Sequence, residues 1–245
     1  MANIYNNYSI SSSKGKLYLK SDKPQEGFTP VPYGTEGKIS YHKYENRIEG
    51  VLTKAEVKEV NPKLSFFEVT LVDGNTINRV SAPLKNSKGN YNDEVKSMVS
   101  ALNNAKIGEE VTISIGTKSI EKGGKTYDNL TFYINYVNEL NEDGKGLSTG
   151  YIPYTEIPRA IKEEDEDLGT TWDWKPVNKY YAQKIKEIVE KFKAFAGPSS
   201  TSAASAATTA APAKTSSAAK PKEKVAAGMD DEEREEFLKS DDLPF

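Results

Sequence analysis

The sequence has no cysteine and a single histidine, His42, so it lacks the side chains that most metal sites and many catalytic sites use. Without cysteine it has neither a disulfide nor a thiolate ligand, and one histidine alone does not make a conventional zinc site. No Walker phosphate loop, dinucleotide-binding glycine motif or nucleophile-elbow serine occurs. We therefore expect a non-enzymatic protein without a cofactor or metal, in which His42 is a loop residue.

Long apolar segments are absent as well. No stretch approaches the roughly 20 apolar residues of a membrane helix. The first residues also lack the charged-then-apolar order of a signal peptide. A cytoplasmic protein is therefore the expectation.

Charge and composition change abruptly after Gly197. Residues 197–228 are rich in alanine, serine, threonine and proline and contain no aromatic residue. This composition predicts a disordered linker, because such a segment cannot bury enough apolar surface to fold. Residues 229–245 contain eight acidic and two basic residues, a net charge of −6 in a chain whose total is −3. The last segment is predicted to be a separate acidic tip, and the rest of the chain is weakly basic.

Residues 38–140 show alternating apolar positions that are interrupted by one helical segment. The pattern predicts a helix after Asn92 and five strands, at 47–60, 64–72, 76–82, 110–116 and 129–137. The order β-β-β-α-β-β, with one apolar face per strand, is that of an OB-fold, a five-stranded Greek-key barrel with a helix between strands three and four. We therefore expect an all-β to α+β fold of this kind. The alternative is another small α+β sheet domain with the same element order.

Two further segments flank this domain. Residues 1–37 form an N-terminal extension, and residues 141–196 combine an acidic loop around 163–167 with an amphipathic helix packed on the barrel. Trp172 and Trp174 lie just before this helix, where they either dock it or stack on bases. The helix is predicted because apolar residues recur at helical spacing, at Val177, Tyr181, Ile185, Ile188, Val189 and Phe192.

The predicted barrel carries cations and aromatic rings where an OB-fold holds its ligand, across strands two and three and between the first and last loops. A groove that binds a single nucleic-acid strand needs both, cations for phosphates and rings for bases. Outward aromatic residues can instead serve cross-strand packing, and loop lysines can serve solubility alone. The candidate DNA-binding residues are Lys38, Tyr41, Lys43, Tyr44 and Arg47 before or at the first strand, Phe66, Arg79 and Tyr133 on strands, and Lys118, Lys122, Lys125 and Tyr127 in the loop between the last two strands.

The barrel, the linker and an acidic tip ending in DDLPF together resemble the single-stranded DNA-binding proteins of bacteria and their phages. The family's tail ends in aspartates, an apolar residue and Pro-Phe, and the matching residues here are Asp241, Asp242, Leu243, Pro244 and Phe245. The likeness in the barrel is one of element order alone. The residues before and after the barrel depart from the bacterial proteins, which favours a phage-encoded protein and a monomer or dimer over the bacterial tetramer.

This resemblance implies sequence-independent binding and protection of single-stranded DNA during replication, recombination or repair. The tip would recruit partner proteins of those processes, and the protein would act in the host cytoplasm. The acids of the tip would also compete with DNA for the basic groove, so removing 229–245 should tighten DNA binding. The alternative function is a replication accessory or adaptor protein whose barrel binds protein rather than DNA.

Overall fold

A computed structural model of the chain describes residues 2–34, 37–62, 64–122, 125–165 and 169–195, with their side chains except at 118–128, 165 and 169. The chain divides into two units, Met1–Gly197 and Pro198–Phe245, and all of these residues lie in the first. The linker and the acidic tip therefore lie outside the described residues.

Within the described residues, ten strands share one sheet. In chain order they are β1 (Ile4–Ser11), β2 (Lys16–Ser21), β3 (Thr29–Tyr33), β4 (Lys38–Glu45), β5 (Arg47–Asn61), β6 (Leu64–Asp73), β7 (Thr76–Pro83), β8 (Glu110–Lys122), β9 (Lys125–Leu140) and β10 (Gly146–Ser148). Their order in the sheet is β10-β9-β8-β5-β6-β7-β1-β2-β4-β3. A separate hairpin, two α-helices and one short 3-10 helix complete this part of the chain: β11 (Ile161–Asp165), β12 (Gly169–Asp173), α1 (Asp93–Asn103), α2 (Lys175–Phe195) and the 3-10 helix Tyr154–Glu156. The fold is therefore β-rich with few helices, as the sequence predicts.

The predicted element order across residues 47–140 is confirmed as β5-β6-β7-α1-β8-β9. The predicted apolar face of β6 is buried, because Phe67, Val69 and Leu71 are fully buried. Glu68 and Thr70 between them are buried as well, so burial along β6 does not alternate. Helix α1 buries the stripe that helical spacing predicts, namely Val95, Met98, Val99 and Leu102. Asn92 occupies the predicted N-cap position, but its side chain donates to the Pro83 carbonyl at 2.7 Å instead of accepting from the helix.

The strand pairings do not confirm a closed five-stranded barrel. Closure would require β7 to pair with β9, because these are the outer strands of the run β9-β8-β5-β6-β7. Instead β1 pairs in parallel with β7, from Ile4 opposite Thr76 to Ser9 opposite Ser81. The predicted N-terminal extension therefore contributes strands to the same sheet, since β1 occupies the edge of β7.

The hairpin formed by β1 and β2 spans the distance between β7 and β8. At its turn Gly15 lies so close to β8 that a Cβ there would be 2.8 Å from Thr117 Oγ1. Next to it, Ser12 Oγ donates a hydrogen bond to Glu94 of α1. Tyr8 and Leu17 of the hairpin belong to the main hydrophobic core. The N-terminal hairpin thus covers the side of the core that a closed barrel would seal by pairing.

Helix α2 packs on this core as predicted. Its stripe is buried at Val177, Tyr181, Ile185, Ile188 and Phe192, and the helix contacts β5 and α1. Lys191 Nζ donates to the carbonyls of Asn103 (3.3 Å) and Ala105 (2.6 Å), which lie at the C-terminal end of α1. Such a cation satisfies carbonyls that the helix leaves unpaired.

Trp174 docks α2 rather than standing free for bases. Its ring packs against the core, and Lys96 Nζ of α1 lies 5.2 Å from the ring centroid. Trp172 lies in β12, opposite Lys162 of β11. Of the two tryptophans, Trp174 therefore packs α2 against the core, whereas Trp172 belongs to the separate hairpin.

Three segments predicted as loops form strands instead. Residues 38–45, placed before the first strand by the sequence, form β4, and the acidic residues 163–165 belong to β11. The predicted long loop between the last two barrel strands continues both of them, with Ile120 opposite Tyr127 and Lys122 opposite Lys125. Cross-strand pairing explains each error, because the partner strand satisfies backbone groups that the local sequence leaves to solvent.

Gly50 lies where β5 passes from its pairing with β8 to its pairing with β6. Its φ is +154°, and a Cβ there would meet the backbone oxygen of Val72 at 3.0 Å. We expect Gly50→Ala to lower the free energy of unfolding by about 1–3 kcal/mol, because neither backbone can move independently. Urea denaturation measures this loss. Gly74→Ala is the control, since its φ is +54° but nothing lies within 4 Å of the new Cβ. Equal losses in both variants would contradict the steric explanation.

Candidate nucleic-acid interface

The pleat of the sheet separates a core face from an outer face, because paired residues project to the same side. Phe67, Val69 and Leu71 mark the core face, so Phe66, Glu68 and Thr70 lie on the outer face. The register carries the outer face across the N-terminal strands, where one row runs through Glu68, Ser81, Ser9, Tyr18 and Tyr44. The outer face is thus continuous from β6 through β7, β1, β2 and β4.

The N-terminal part of the outer face is cationic. Its strand positions, all of them described, contain three lysines and no acidic residue. Acidic residues occupy outer positions further along the sheet, among them Glu49 and Glu56 of β5, Glu68 of β6 and Glu110 of β8. The strand positions in question are Tyr5, Asn7, Ser9, Ser11, Lys16, Tyr18, Lys20, Thr29, Val31, Tyr33, Lys38, Ser40, His42 and Tyr44.

Arg79 lies at the centre of the outer face and has two neighbours. Its guanidinium carbon is 5.1 Å from the ring centroid of Tyr5, whose side chain is 53% exposed. Its Nε is 3.6 Å from Glu68 Oε1, and Glu68 is buried. Part of the charge of Arg79 therefore compensates a buried carboxylate, while Tyr5 offers ring surface beside it. The half-buried Phe66 lies two rows of the outer face away, opposite Pro83.

A cluster of three rings, Tyr18, His42 and Tyr44, occupies the outer face of β2 and β4. Tyr18 and His42 stack with their centroids 4.4 Å apart and their planes 19° from parallel. Tyr44 lies 6.0 Å from Tyr18 and 5.9 Å from His42. His42 is therefore a half-buried strand residue, and its prediction as a loop residue is wrong.

Two lysines border the three-ring cluster. Lys14 Nζ lies 4.1 Å from the centroid of Tyr44, and Lys20 Nζ lies 5.1 Å from that of Tyr33. Burial lowers the pKa of His42 below its ordinary value, and the charges of Lys20 and Lys14 lower it further. At neutral pH the imidazole is therefore uncharged, and the positive charge of the cluster comes from the lysines.

Hydrogen bonds hold the imidazole in place. His42 Nε2 lies 2.9 Å from Ser40 Oγ, and Nδ1 lies 3.3 Å from the hydroxyl of Tyr44. Ser40 Oγ also donates to the Val31 carbonyl at 3.5 Å, an arrangement that matches the tautomer with its proton on Nε2. The neutral ring then accepts from Tyr44 at Nδ1.

The structure divides the predicted DNA-binding residues between faces. Lys38, Tyr44, Phe66 and Arg79 share the outer face. Tyr41 and Lys43 project to the other side of β4, opposite Ser21 and Leu19. Lys43 is also paired with Glu45 at 2.9 Å, so its charge is neutralised locally.

Arg47 and Tyr133 lie in another row of the outer face, on either side of Ser114 in β8. Arg47 is exposed, whereas Tyr133 is half-buried. The Tyr133 ring covers Gly116, where a Cβ would be 2.7 Å from its Cε2, and it meets Tyr151 edge-on at 6.3 Å. Tyr133 is therefore mainly a packing residue.

The remaining predicted site residues lie outside the part of the structure in which side chains are described. The backbones of four of them belong to β8 and β9, and the other five are in the tip. They are Lys118, Lys122, Lys125, Tyr127, Asp241, Asp242, Leu243, Pro244 and Phe245.

Sequence reasoning missed the N-terminal half of the interface, namely Tyr5, Lys14, Tyr18, Lys20 and Tyr33. The signal was present in KLYLK (16–20), where Leu17 and Leu19 alternate with polar residues. Such alternation predicts a strand with one apolar face. It would have placed Lys16, Tyr18 and Lys20 together on the opposite face.

Comparisons with protein-family models, with curated proteins and with solved structures found no match to this chain. No helix among the described residues is long and apolar enough to cross a membrane. In the same part of the chain, no three histidine, aspartate or glutamate side chains are grouped as a metal ion would require. The function is therefore argued from the residues of the outer face.

Proposed function

We propose that this protein binds single-stranded DNA, largely independently of sequence, on the outer face of β1, β2, β4, β6 and β7. The observation that carries the proposal is the interleaving of rings and cations on this face, with no acidic residue at the outer positions of β1–β4. Phosphates need cations, and bases need flat apolar surfaces.

The arrangement favours a single strand over a duplex. Side-chain rings that lie on a sheet can stack only on bases whose faces are free, and a duplex hides those faces within its own stack. The lysines by themselves would attract either form, since they neutralise phosphate regardless of sequence or pairing. Selectivity therefore comes from the rings and affinity at low salt from the lysines.

As part of the same proposal, β5-β6-β7-α1-β8-β9 is an OB-like unit whose open side is covered by the N-terminal hairpin. Support comes from the pairings β5–β6, β6–β7, β5–β8 and β8–β9 and from a helix between the third and fourth strands. OB-folds bind oligonucleotides on strands two and three. The corresponding strands here, β6 and β7, carry Phe66 and Arg79.

For the acidic tip we propose recruitment of replication, recombination or repair proteins. A phenylalanine that follows aspartates suits an apolar pocket with a basic rim, and the proline before it lowers the cost of ordering the peptide. The residues that would bind are Asp241, Asp242, Leu243, Pro244 and Phe245. The likeness of this tip to those of phage and bacterial proteins supports DNA protection in the host cytoplasm as its setting.

A titration tests the proposed function. Fluorescence anisotropy of labelled poly-dT, beside a duplex of equal length, is measured with the full chain and with residues 1–228. We expect preference for poly-dT and, if three lysines each neutralise one phosphate, about 20-fold weaker binding at 200 mM than at 50 mM salt. The shortened chain should bind more tightly at low salt. Equal or stronger duplex binding contradicts the proposal, and no binding of either favours the adaptor function.

A further inference from the structure

The three-ring cluster Tyr18–His42–Tyr44 contains a titratable imidazole, which binding of a single strand by rings and lysines alone does not require. We propose that it is a proton-linked base-stacking subsite, in which a base stacks on the rings, Lys14 and Lys20 hold the neighbouring phosphates, and His42 gains a proton when DNA binds. This inference rests on the proposed function, because it assigns a particular part of the outer face to a base and its phosphates.

The geometry supplies a stacking surface. Tyr18 and His42 are already stacked with each other at 4.4 Å, and all three residues of the cluster are half-buried. They lose little side-chain freedom on binding, which lowers the cost of adding a base. Lys14 Nζ lies over one face of the Tyr44 ring, 4.1 Å from its centroid, so its ammonium group is held at the cluster and covers that face until a phosphate draws it aside.

The charged groups that face His42 in the free protein are positive, and its other neighbours are uncharged. The hairpin turn contributes Lys14 and β2 contributes Lys20. β3 contributes Thr29, which pairs with His42, and β4 itself contributes Ser40 and Tyr44. No described carboxylate occupies an outer position of these strands, and none is among the groups that shift the pKa of His42, so its own contacts supply no compensation for an imidazolium. Phosphates drawn in by the two lysines would provide that compensation.

The hydrogen bonds of His42 are compatible with a second proton on its imidazole ring. Nε2–H already donates to Ser40, and a second proton at Nδ1 would donate to the Tyr44 hydroxyl, which can accept as readily as it donates. Protonation therefore breaks no hydrogen bond. The obstacle is electrostatic, since burial, Lys20 and Lys14 hold the pKa of His42 low in the free protein.

Protonation of His42 determines how the affinity for DNA changes with pH. Bound phosphates raise the pKa of His42, so the complex carries more proton than the free protein between the two pKa values. DNA affinity should rise as the pH falls through that window, by up to about tenfold for each unit by which binding raises the pKa. Above both pKa values the affinity should not change with the protonation of His42.

The single histidine makes a direct measurement possible. In the untagged chain, the NMR signal of the imidazole belongs to His42 alone, so its pKa can be followed without and with saturating dT oligonucleotide. We expect a higher pKa in the complex and a net proton uptake by calorimetry in two buffers of different ionisation enthalpy. An unchanged or lower pKa in a chain that does bind the oligonucleotide overturns the inference but not the proposed function.

Variants provide an independent measurement. Tyr18→Leu and Tyr44→Leu should each bind poly-dT roughly 5- to 150-fold more weakly, the range of one lost base stack. Tyr41→Leu is the matched control, because Tyr41 lies in the same strand on the other face. His42→Gln should lose the rise in affinity as the pH falls from 7.5 to 5.5, whereas Tyr41→Leu, which retains His42, should keep it. Unaltered affinity in both tyrosine variants contradicts the subsite, whereas a wild-type chain that binds no DNA contradicts the function itself.

Discussion

Replacing Tyr5 and Phe66 together with leucine is expected to weaken binding of poly-dT by about 1–3 kcal/mol for each ring that stacks on a base. Tyr5 is 53% exposed beside Arg79, and Phe66 is half-buried on the outer face of β6. Leucine keeps most of the apolar contact with the sheet but removes the flat surface. Anisotropy titration at fixed salt measures the loss.

The control for this double variant uses the same chemical changes away from the outer face. Tyr41 projects to the other side of β4, and Phe195 lies at the end of α2 against Gly108. Tyr41→Leu with Phe195→Leu should leave affinity for poly-dT unchanged. If Tyr5→Leu with Phe66→Leu lowers the unfolding midpoint without altering affinity, the two rings serve cross-strand packing, and the assignment of this surface to DNA is wrong.

Leu17→Ala is expected to lower the free energy of unfolding by about 2–5 kcal/mol, the range for a buried leucine truncated to alanine. Leu17 lies in β2, is fully buried, and belongs to the same core as Phe67 and Phe132. The loss arises because the cavity cannot be filled by neighbours held in paired strands. Urea denaturation, followed by circular dichroism, provides the measurement.

Leu140→Ala is the matched control, because this leucine is 63% exposed at the end of β9. The free energy of unfolding should fall only slightly in this variant. If Leu17→Ala also costs little, the N-terminal hairpin does not share the core, and residues 1–37 are an appendage after all. A large loss at Leu17 would make the hairpin necessary for the stability of the surface on which DNA is proposed to bind.

The strands and helices between 47 and 140 were predictable because their signals are local. Alternation places Phe67, Val69 and Leu71 on one face, and the two-residue turn at Gly74 and Asn75 joins β6 to β7. Helix α1 likewise follows from the spacing of its own apolar residues. Each of these features depends on neighbours a few residues apart, which a reading along the chain detects.

The site was only partly predictable, because its rings come from strands far apart in the chain. Tyr44 and Arg79 were found from the sequence, but Tyr18 and Tyr5 were not. His42 shows the reason most clearly: its stacking partner is Tyr18, and β2 and β4, which carry them, have β3 between them along the chain. The polar residues around His42 predict a loop, and only the pairing of β4 with β2 shows that His42 lies in a strand.

By itself the sequence determined that the protein is β-rich, has one helix within the strand run and another after it, and offers no cysteine or second histidine for chemistry. Tertiary structure alone decided that β1 takes the edge of β7 and that the N-terminal hairpin closes over the core. Parallel pairing between β1 and β7 joins segments about 70 residues apart, and its register depends on which apolar faces meet. The same pairing joins the rings and lysines of β1–β4 to the face that carries Arg79 and Phe66, which no local pattern could reveal.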